Sequence, residues 1–465
     1  MRTTLISLLL LFSWFSQAQE STNSFSLDEA IAYALENNYS AINANRDIVD
    51  AQKQKWETIA TGLPQISGAI SYQNQLKQPV TLLPAAAFDN TQSTIDIVND
   101  YFDANQTNFD VNPPEGFIPL IFGTQQSATA TATLEQQIFD GSYIVGVQAT
   151  KAFLSYSQNN KEKTDLDIRK AVVEAYGNVL LAQESVLISE NNKATLEKNL
   201  YETKRIYENG LGDEESVDQL QITLSSVENQ LKNAKRLEKI TLQMLNLTMG
   251  LPIESSTVLT ENLDDLTQKQ INPGLLDTEF KMENNVDYKL ALNLNEQRYF
   301  EHKLAKSRAL PTLNAFVNYG GSSFSDSFNF LSSGQQWFGS SVMGFNLNVP
   351  IFSSLKRSAS TQRAKIALEK AKTQLTEAEE QIRLQLESAK SDYILSIEEY
   401  GTSKENLKLA ERIENKNQIK YSEGLATSFE LRQAQTQLYS TQQEYLQSMV
   451  DVINRKTALE TILNQ

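Results

Sequence analysis

The chain is 465 residues long, with 57 acidic against 41 basic residues and a formal charge of −16. That surplus of acid leaves nothing to offset phosphates and argues against nucleic-acid binding. The sequence has no cysteine and one histidine, His302. Disulfide scaffolds, thiolate zinc sites and cysteine nucleophiles are excluded, and a His-based metal site or Ser-His-Asp triad is disfavoured.

Arg2 precedes an apolar stretch from Leu5 to Phe15, and Ser16-Gln17-Ala18 follows. A basic start, a short apolar core and small residues at −3 and −1 describe an export signal peptide over residues 1–18, cleaved after Ala18. The apolar run is too short to serve comfortably as a spanning anchor. No later segment reads as a transmembrane helix. An exported chain that crosses a membrane must then cross it with β-strands.

After Leu63-Pro64, residues 65–72 alternate in polarity, with Ile66, Ile70 and Tyr72 on one side and Ser67 and Ser71 on the other. A long connection over residues 74–126 follows, carrying Asp96, Asp100, Asp103, Pro113 and Pro114. Its acidic stretch lacks the glycine and closing glutamate of a calcium-binding EF-hand loop. Residues 127–134 alternate again, Ala128, Ala130 and Ala132 against Thr129, Thr131 and Thr133. Period two over such lengths predicts strands with one apolar and one polar face.

No proline lies between Pro119 and Pro252, or after Pro350. Both regions are rich in Ala, Leu, Gln, Glu and Lys, so both predict very long helices. Each is broken once by glycine, at Tyr207-Glu208-Asn209-Gly210-Leu211-Gly212 and at Tyr421-Ser422-Glu423-Gly424-Leu425. Glycine ends helices in the left-handed conformation, so each region is a helix, a tight turn and a returning helix. The first helix, from about Tyr143 to Tyr207, extends roughly 100 Å. In the second region Ala364, Ala371 and Ala378 recur every seven residues, as do Leu368, Leu375 and Ile382. This is an a/d seam with alanine at one position and a large aliphatic residue at the other. The period alone leaves an ordinary helical bundle open.

Between the long helical regions, Leu310-Pro311 precedes alternation at Leu313, Ala315, Val317 and Tyr319, and a further strand carries Met343, Phe345, Leu347 and Val349. The halves correspond in order. Glu36-Asn37-Asn38, Leu63-Pro64 and Tyr72 recur 247 residues later, and Ile168-Arg169 and Tyr207 with Gly210-Leu211 recur 214 residues later. The order reads as a tandem duplication. It divides the mature chain into a first repeat at 19–250 with its helix turn near 208–216, a linker at 251–281, and a second repeat at 282–465 with an outer loop at 320–340 and its turn near 422–430.

Each strand is long enough to cross a bilayer when tilted, which takes about 9–11 residues. Four strands cannot close a barrel, since small barrels have about eight. Closure needs several copies, and three copies of four strands make twelve.

A signal peptide, an early helix ending in Leu-Pro, two strands around an outer loop, Ile138-Phe139-Asp140-Gly141, a giant helical hairpin and a repeat of the whole unit resemble the TolC-like outer membrane efflux protein family. The resemblance implies a mainly α fold with a β-barrel portion: a homotrimer with a twelve-stranded outer-membrane barrel continued by an α-helical barrel through the periplasm. It implies a passive, non-enzymatic exit duct for tripartite efflux or type I secretion. The partners are outer-membrane lipid, a periplasmic adaptor and an inner-membrane transporter of the RND, MFS or ABC class. No cofactor or metal is implied.

In that family the hairpin turns form a periplasmic tip gated by acidic residues. The motif falls on Tyr421, Gly424 and Glu430. Gln433 stands where a second acid is usual, and Ala426 where an arginine latch is usual. Ser216 is the first-half partner, with Asp213, Glu214 and Glu215 nearby to supply charge. Gly210-Leu211 and Gly424-Leu425 are the expected adaptor-docking residues. A different class, a secreted coiled-coil protein without a pore, fits the helical periodicity but leaves the two-faced strands without a role.

Overall fold

The computed structural model describes residues 23–102 and 114–464. The expected signal peptide, Asp103 and Pro113 lie outside the described residues. In chain order the elements are β1 (Asn23–Phe25), α1 (Leu27–Asn37), α2 (Tyr39–Ala60), β2 (Gln65–Asn74), β3 (Val80–Pro84), α3 (Thr91–Phe102), β4 (Phe117–Ile121), β5 (Gln126–Asp140), α4 (Gly141–Glu208) and α5 (Glu214–Met249). Then come β6 (Thr257–Leu259), α6 (Leu263–Gln270), α7 (Val286–Ser307), β7 (Thr312–Ser325), β8 (Phe338–Asn348), α8 (Lys356–Ser422) and α9 (Ser428–Leu463). The described residues form two compact units, one of residues 23–55, 148–303 and 358–464, the other of 56–102, 114–147 and 304–357.

The first unit is helical. Ser26 starts α1 with a capping box: its hydroxyl accepts from the Glu29 amide, and the Glu29 carboxylate accepts from the Ser26 amide at 2.8 Å. Leu27, Ala30 and Ala34 share one stripe of α1 and are buried against α5. Gly250 closes α5 at φ +84°, and a Cβ there would lie 2.2 Å from the Asn37 carbonyl oxygen. Only glycine satisfies both demands. β1 pairs in parallel with β6, Asn23 opposite Thr257 and Phe25 opposite Leu259, so the expected linker at 251–281 is itself structured.

The core of this unit collects Val172, Val173, Tyr176 and Val179 of α4, Leu386 and Tyr393 of α8, and Met449, Val450 and Ile453 of α9. Tyr393 is fully buried, and its hydroxyl donates to the Gln270 carbonyl at 2.8 Å and accepts from the Asn272 amide at 2.9 Å. One stretch of α4 is long and apolar enough to cross a bilayer by length and composition alone, and 44% of it is buried within the protein. Of the heptad seam in α8, Ala371 and Ile382 are buried, while Ala364, Leu368, Leu375 and Ala378 stay half-buried.

The second unit is built on a four-stranded antiparallel sheet in the order β2-β5-β7-β8. The register stacks Ile66 against Leu134 and Val317 against Leu134 and Met343 on one face, and Ser71 against Thr129 on the other. A bulge between Gln137 and Phe139 shifts the β5–β7 register at the strand end. There Asp140 accepts from the Ser142 amide at 2.6 Å and starts α4 directly. A Cβ on Gly141 would lie 2.6 Å from Leu310 Cδ1 and 3.3 Å from the Ser307 carbonyl oxygen, so a larger residue there would displace the Leu310 side chain.

Two expected loops differ from the reading of the sequence. Residues 74–126 contain the β3–β4 hairpin and α3, so Asp96 and Asp100 sit on a helix and not in an open loop. The connection expected over 320–340 contracts to 326–337, because β7 runs on through Gly320-Gly321 to Ser325 and β8 begins at Phe338.

Candidate functional site

Two places carry the features the sequence singled out, one in each unit. In the helical unit these are the two helix turns. α4 ends with Gly210 at φ +76°, the Gly210 amide donating to Tyr207 O at 2.8 Å and the Leu211 amide to Ile206 O at 3.1 Å. α8 ends in the same way, Gly424 at φ +71°, its amide donating to Tyr421 O at 3.0 Å and the Leu425 amide to Lys420 O at 2.7 Å. Both are Schellman closures, in which the residue after glycine usually tucks an apolar side chain back onto the helix. Here it does not: Leu211 is 83% and Leu425 78% exposed.

The returning helices begin on acids. Asp213 caps α5, accepting from the Ser216 amide at 2.7 Å, with Glu214 and Glu215 in the first turn. Glu215 accepts from the Gln219 side chain at 2.9 Å. Thr427 and Glu430 form a capping box on α9, the Glu430 carboxylate accepting from the Thr427 amide at 2.8 Å and from its hydroxyl at 3.1 Å. Those bonds, the backbone one first, hold the Glu430 carboxyl below the ordinary glutamate range. Gln433 is exposed on the next turn of α9.

Polar bridges join the two hairpins. The Thr203 and Tyr421 hydroxyls lie 2.9 Å apart. The Asn199 and Gln418 side-chain amides bond reciprocally at 2.8 and 2.9 Å. Ser216 Oγ lies 3.0 Å from Ser428 Oγ and 3.0 Å from Asp213 Oδ2, and Ser428 donates to Gln219 at 3.1 Å. Farther along, Asn192 donates to Gln442 at 2.9 Å. Tyr421 and Ser216 were picked out from the sequence; their partners Thr203, Asn199, Gln418, Gln219 and Ser428 were not. The signal was available in principle, since Asn199 and Thr203 are polar side chains almost wholly buried in an apolar seam. The expected acids Asp213, Glu214, Glu215 and Glu430 all lie in caps or first helical turns, where the helix dipole favours them.

In the other unit the candidate surface is the sheet. Its apolar face exposes Ile66 (79%) and Ile70 (86%) of β2 and Met343, Phe345 and Leu347 of β8. Tyr72 and Phe328 meet edge to face at 5.4 Å, and Phe328 and Phe330 at 5.8 Å, as an aromatic group at the loop end of the strands. The opposite face carries Ser67, Ser71, Thr129, Thr133, Asn314, Asn346 and Asn348. β2 and β8 each have one unpaired edge. Among the described residues no group of His, Asp or Glu is spaced to hold a metal ion.

The chain combines a two-faced antiparallel sheet with open edges and two long helical hairpins. Residues 290–465 match the family model of the outer membrane efflux protein. The described residues have the fold of the TolC-like channels. It is similar to the outer membrane protein VceC of Vibrio cholerae, with 16% identity, a TM-score of 0.67 and coverage of 94% of this chain and 96% of that one. It is similar to CusC at 15% identity and a TM-score of 0.70, covering 97% and 95% of the two chains. It is also similar to the MtrE outer membrane channel of Neisseria gonorrhoeae in its open state, at 16% identity and a TM-score of 0.69, covering 94% and 88%. No curated protein matches the chain by sequence.

Proposed function

We propose that the chain is the exit duct of a tripartite efflux or type I secretion system in the outer membrane of a Gram-negative bacterium. One observation carries the reading: the four-stranded sheet leaves an apolar face in the open and one edge of each outer strand unpaired. An exposed apolar face and free edges together are an aggregation hazard in water, and a closed barrel in lipid removes both. Three copies close twelve strands, β8 of one against β2 of the next. The apolar face meets lipid and the Ser/Thr/Asn face lines water. The half-buried seam of α8 gains its remaining cover from neighbouring copies, as expected of an α-barrel. The duct is passive, performs no chemistry, and draws energy from an inner-membrane transporter through a periplasmic adaptor.

The hairpin turns serve as the periplasmic tip in this reading. Leu211 and Leu425 are apolar and almost fully exposed, which suits an adaptor-docking surface. Glu430, with Asp213, Glu214 and Glu215, supplies its negative charge. Leu211→Asp with Leu425→Asp leaves the trimer intact and abolishes adaptor capture.

The test is membrane fractionation followed by planar-bilayer recording. Heat-resistant trimers in outer-membrane detergent extracts, with cation-preferring conductance, are the expected result. A monodisperse monomer in detergent-free buffer, without conductance, sinks the assignment and favours a secreted coiled-coil protein.

A further inference from the structure

The water-facing side of the sheet is not uniformly neutral and polar. Among the four strands, only Glu135 carries a charge before the terminal Asp140 of β5. It sits directly opposite Phe316 of β7, and Phe316 sits directly opposite Gly344 of β8. The ring lies over the glycine: a Cβ on Gly344 would come within 2.7 Å of Phe316 Cζ. Val342, the next residue of β8 on this face, is 54% exposed beside it. Asn318, two residues beyond Phe316 and opposite Thr133 and Val342, keeps its side-chain oxygen enclosed and accepts no hydrogen bond. Glu135 itself is exposed, and no basic side chain among the described residues pairs with it.

We propose that Glu135 and Phe316 form a subsite for organic cations with an aromatic or apolar body, on the water-facing wall of the duct; the assignment rests on the duct reading above. The chemistry is that of cation recognition. A carboxylate attracts the charge, and the negative face of an aromatic ring takes it within about 6 Å. Cross-strand neighbours on one face lie about 5 Å apart, so one mid-sized cation can touch both. A purely structural role accounts for the ring, which covers a bare glycine. It does not account for a lone carboxylate opposite the ring. Three copies place three such subsites around the lumen, and the overall acidity of the chain adds to the local preference for cations.

The test is block of single channels in planar bilayers by tetraphenylphosphonium, its dwell time measured against each channel's own potassium current. Wild-type channels show resolved blocking events. Glu135→Gln and Phe316→Ser each shorten the dwell by about threefold or more. Gln73→Ala, on the same face but away from the subsite, leaves it unchanged. Block by the neutral probe triphenylphosphine oxide does not respond to Glu135→Gln. If Phe316→Ser does not assemble, Phe316→Leu keeps Gly344 covered while removing the ring. Equal dwell times in wild type and Glu135→Gln, or no block of the wild type, overturn the subsite and leave the duct standing. A wild-type chain that conducts no ions overturns the duct reading and the subsite with it.

Discussion

The hydroxyls of Thr203 and Tyr421 meet at 2.9 Å, one near the end of α4 and the other near the end of α8. Thr203 is 4% exposed, so its oxygen has little water to fall back on. With the Asn199–Gln418 amide pair next to it, this is a neutral clamp between two hairpins that end in the same kind of turn. Tyr421→Phe leaves a buried hydroxyl unpaired, at about 1–2 kcal/mol. The expected outcome is a lower melting temperature and a larger open-channel current, with Thr203→Val on the same background restoring most of the stability. A double-mutant cycle reads the coupling directly. Additive effects of the two substitutions would remove the clamp from the account.

Glu430→Gln separates two roles of one side chain. Glutamine can still accept from the Thr427 amide, so the capping box survives while the charge is lost. If the tip is narrow and three Glu430 carboxylates face one axis, the variant loses cation selectivity and block by divalent cations at unchanged thermal stability. Unchanged reversal potentials across a salt gradient would reduce Glu430 to a helix cap.

The β8–α8 connection holds two residues other than glycine in the left-handed region, Ser354 at φ +46° and Leu355 at φ +63°. A left-handed non-glycine residue costs roughly 1–2 kcal/mol, and glycine's extra freedom in the unfolded chain gives part of that back. Leu355 is 75% exposed, so little packing is lost with it. Leu355→Gly should therefore stabilise by about 0.5–1 kcal/mol. Denaturant unfolding of the detergent-solubilised protein measures it, and a loss of stability would show that the leucine makes a contact worth more than its strain.

Glu414 of α8 is half-buried, and burial raises its carboxyl above the ordinary glutamate value of 4.5. Burial, and then the charge of Glu414, raise the hydroxyl of Tyr439 on α9. Gln435 on α9 is fully buried, and its side-chain hydrogen bond to Glu414 offsets part of the rise in the Glu414 carboxyl. A raised carboxyl binds its proton more tightly in the folded state than in the unfolded one. Stability is therefore greatest below the unfolded value and falls as pH rises from about 4.5 through the folded value. Glu414→Gln removes that loss. Its melting temperature should exceed that of the wild type at pH 7, and the gap should close toward pH 4. A gap that persists at pH 4 points to packing, not titration.

The strands and hairpins were legible because they obey periods that one chain segment displays by itself. Alternation located β2 and β5. Glycine after a long proline-free run located both turns, since a left-handed residue ends a helix wherever it occurs. The outer segment was less legible. Five prolines from Pro79 to Pro119 punctuate residues 74–126 and mask α3 between them. Gly320-Gly321 resembled a turn but lies inside β7, because Thr131 crowds the place a Cβ on Gly320 would take, 2.7 Å from Thr131 Cγ2. That crowding comes from a strand almost two hundred residues away and leaves no local mark.

Local pattern alone was enough to set where this chain turns, which stretches run straight, and which side of each ribbon avoids water. Those properties follow from torsional preference and side-chain spacing, and both act between near neighbours in sequence. Which hydroxyl meets which across two hairpins, which ring covers which glycine and which carboxylate stands alone were decided only in three dimensions. They depend on register and facing between distant segments, and register is the cooperative outcome of every contact made at once.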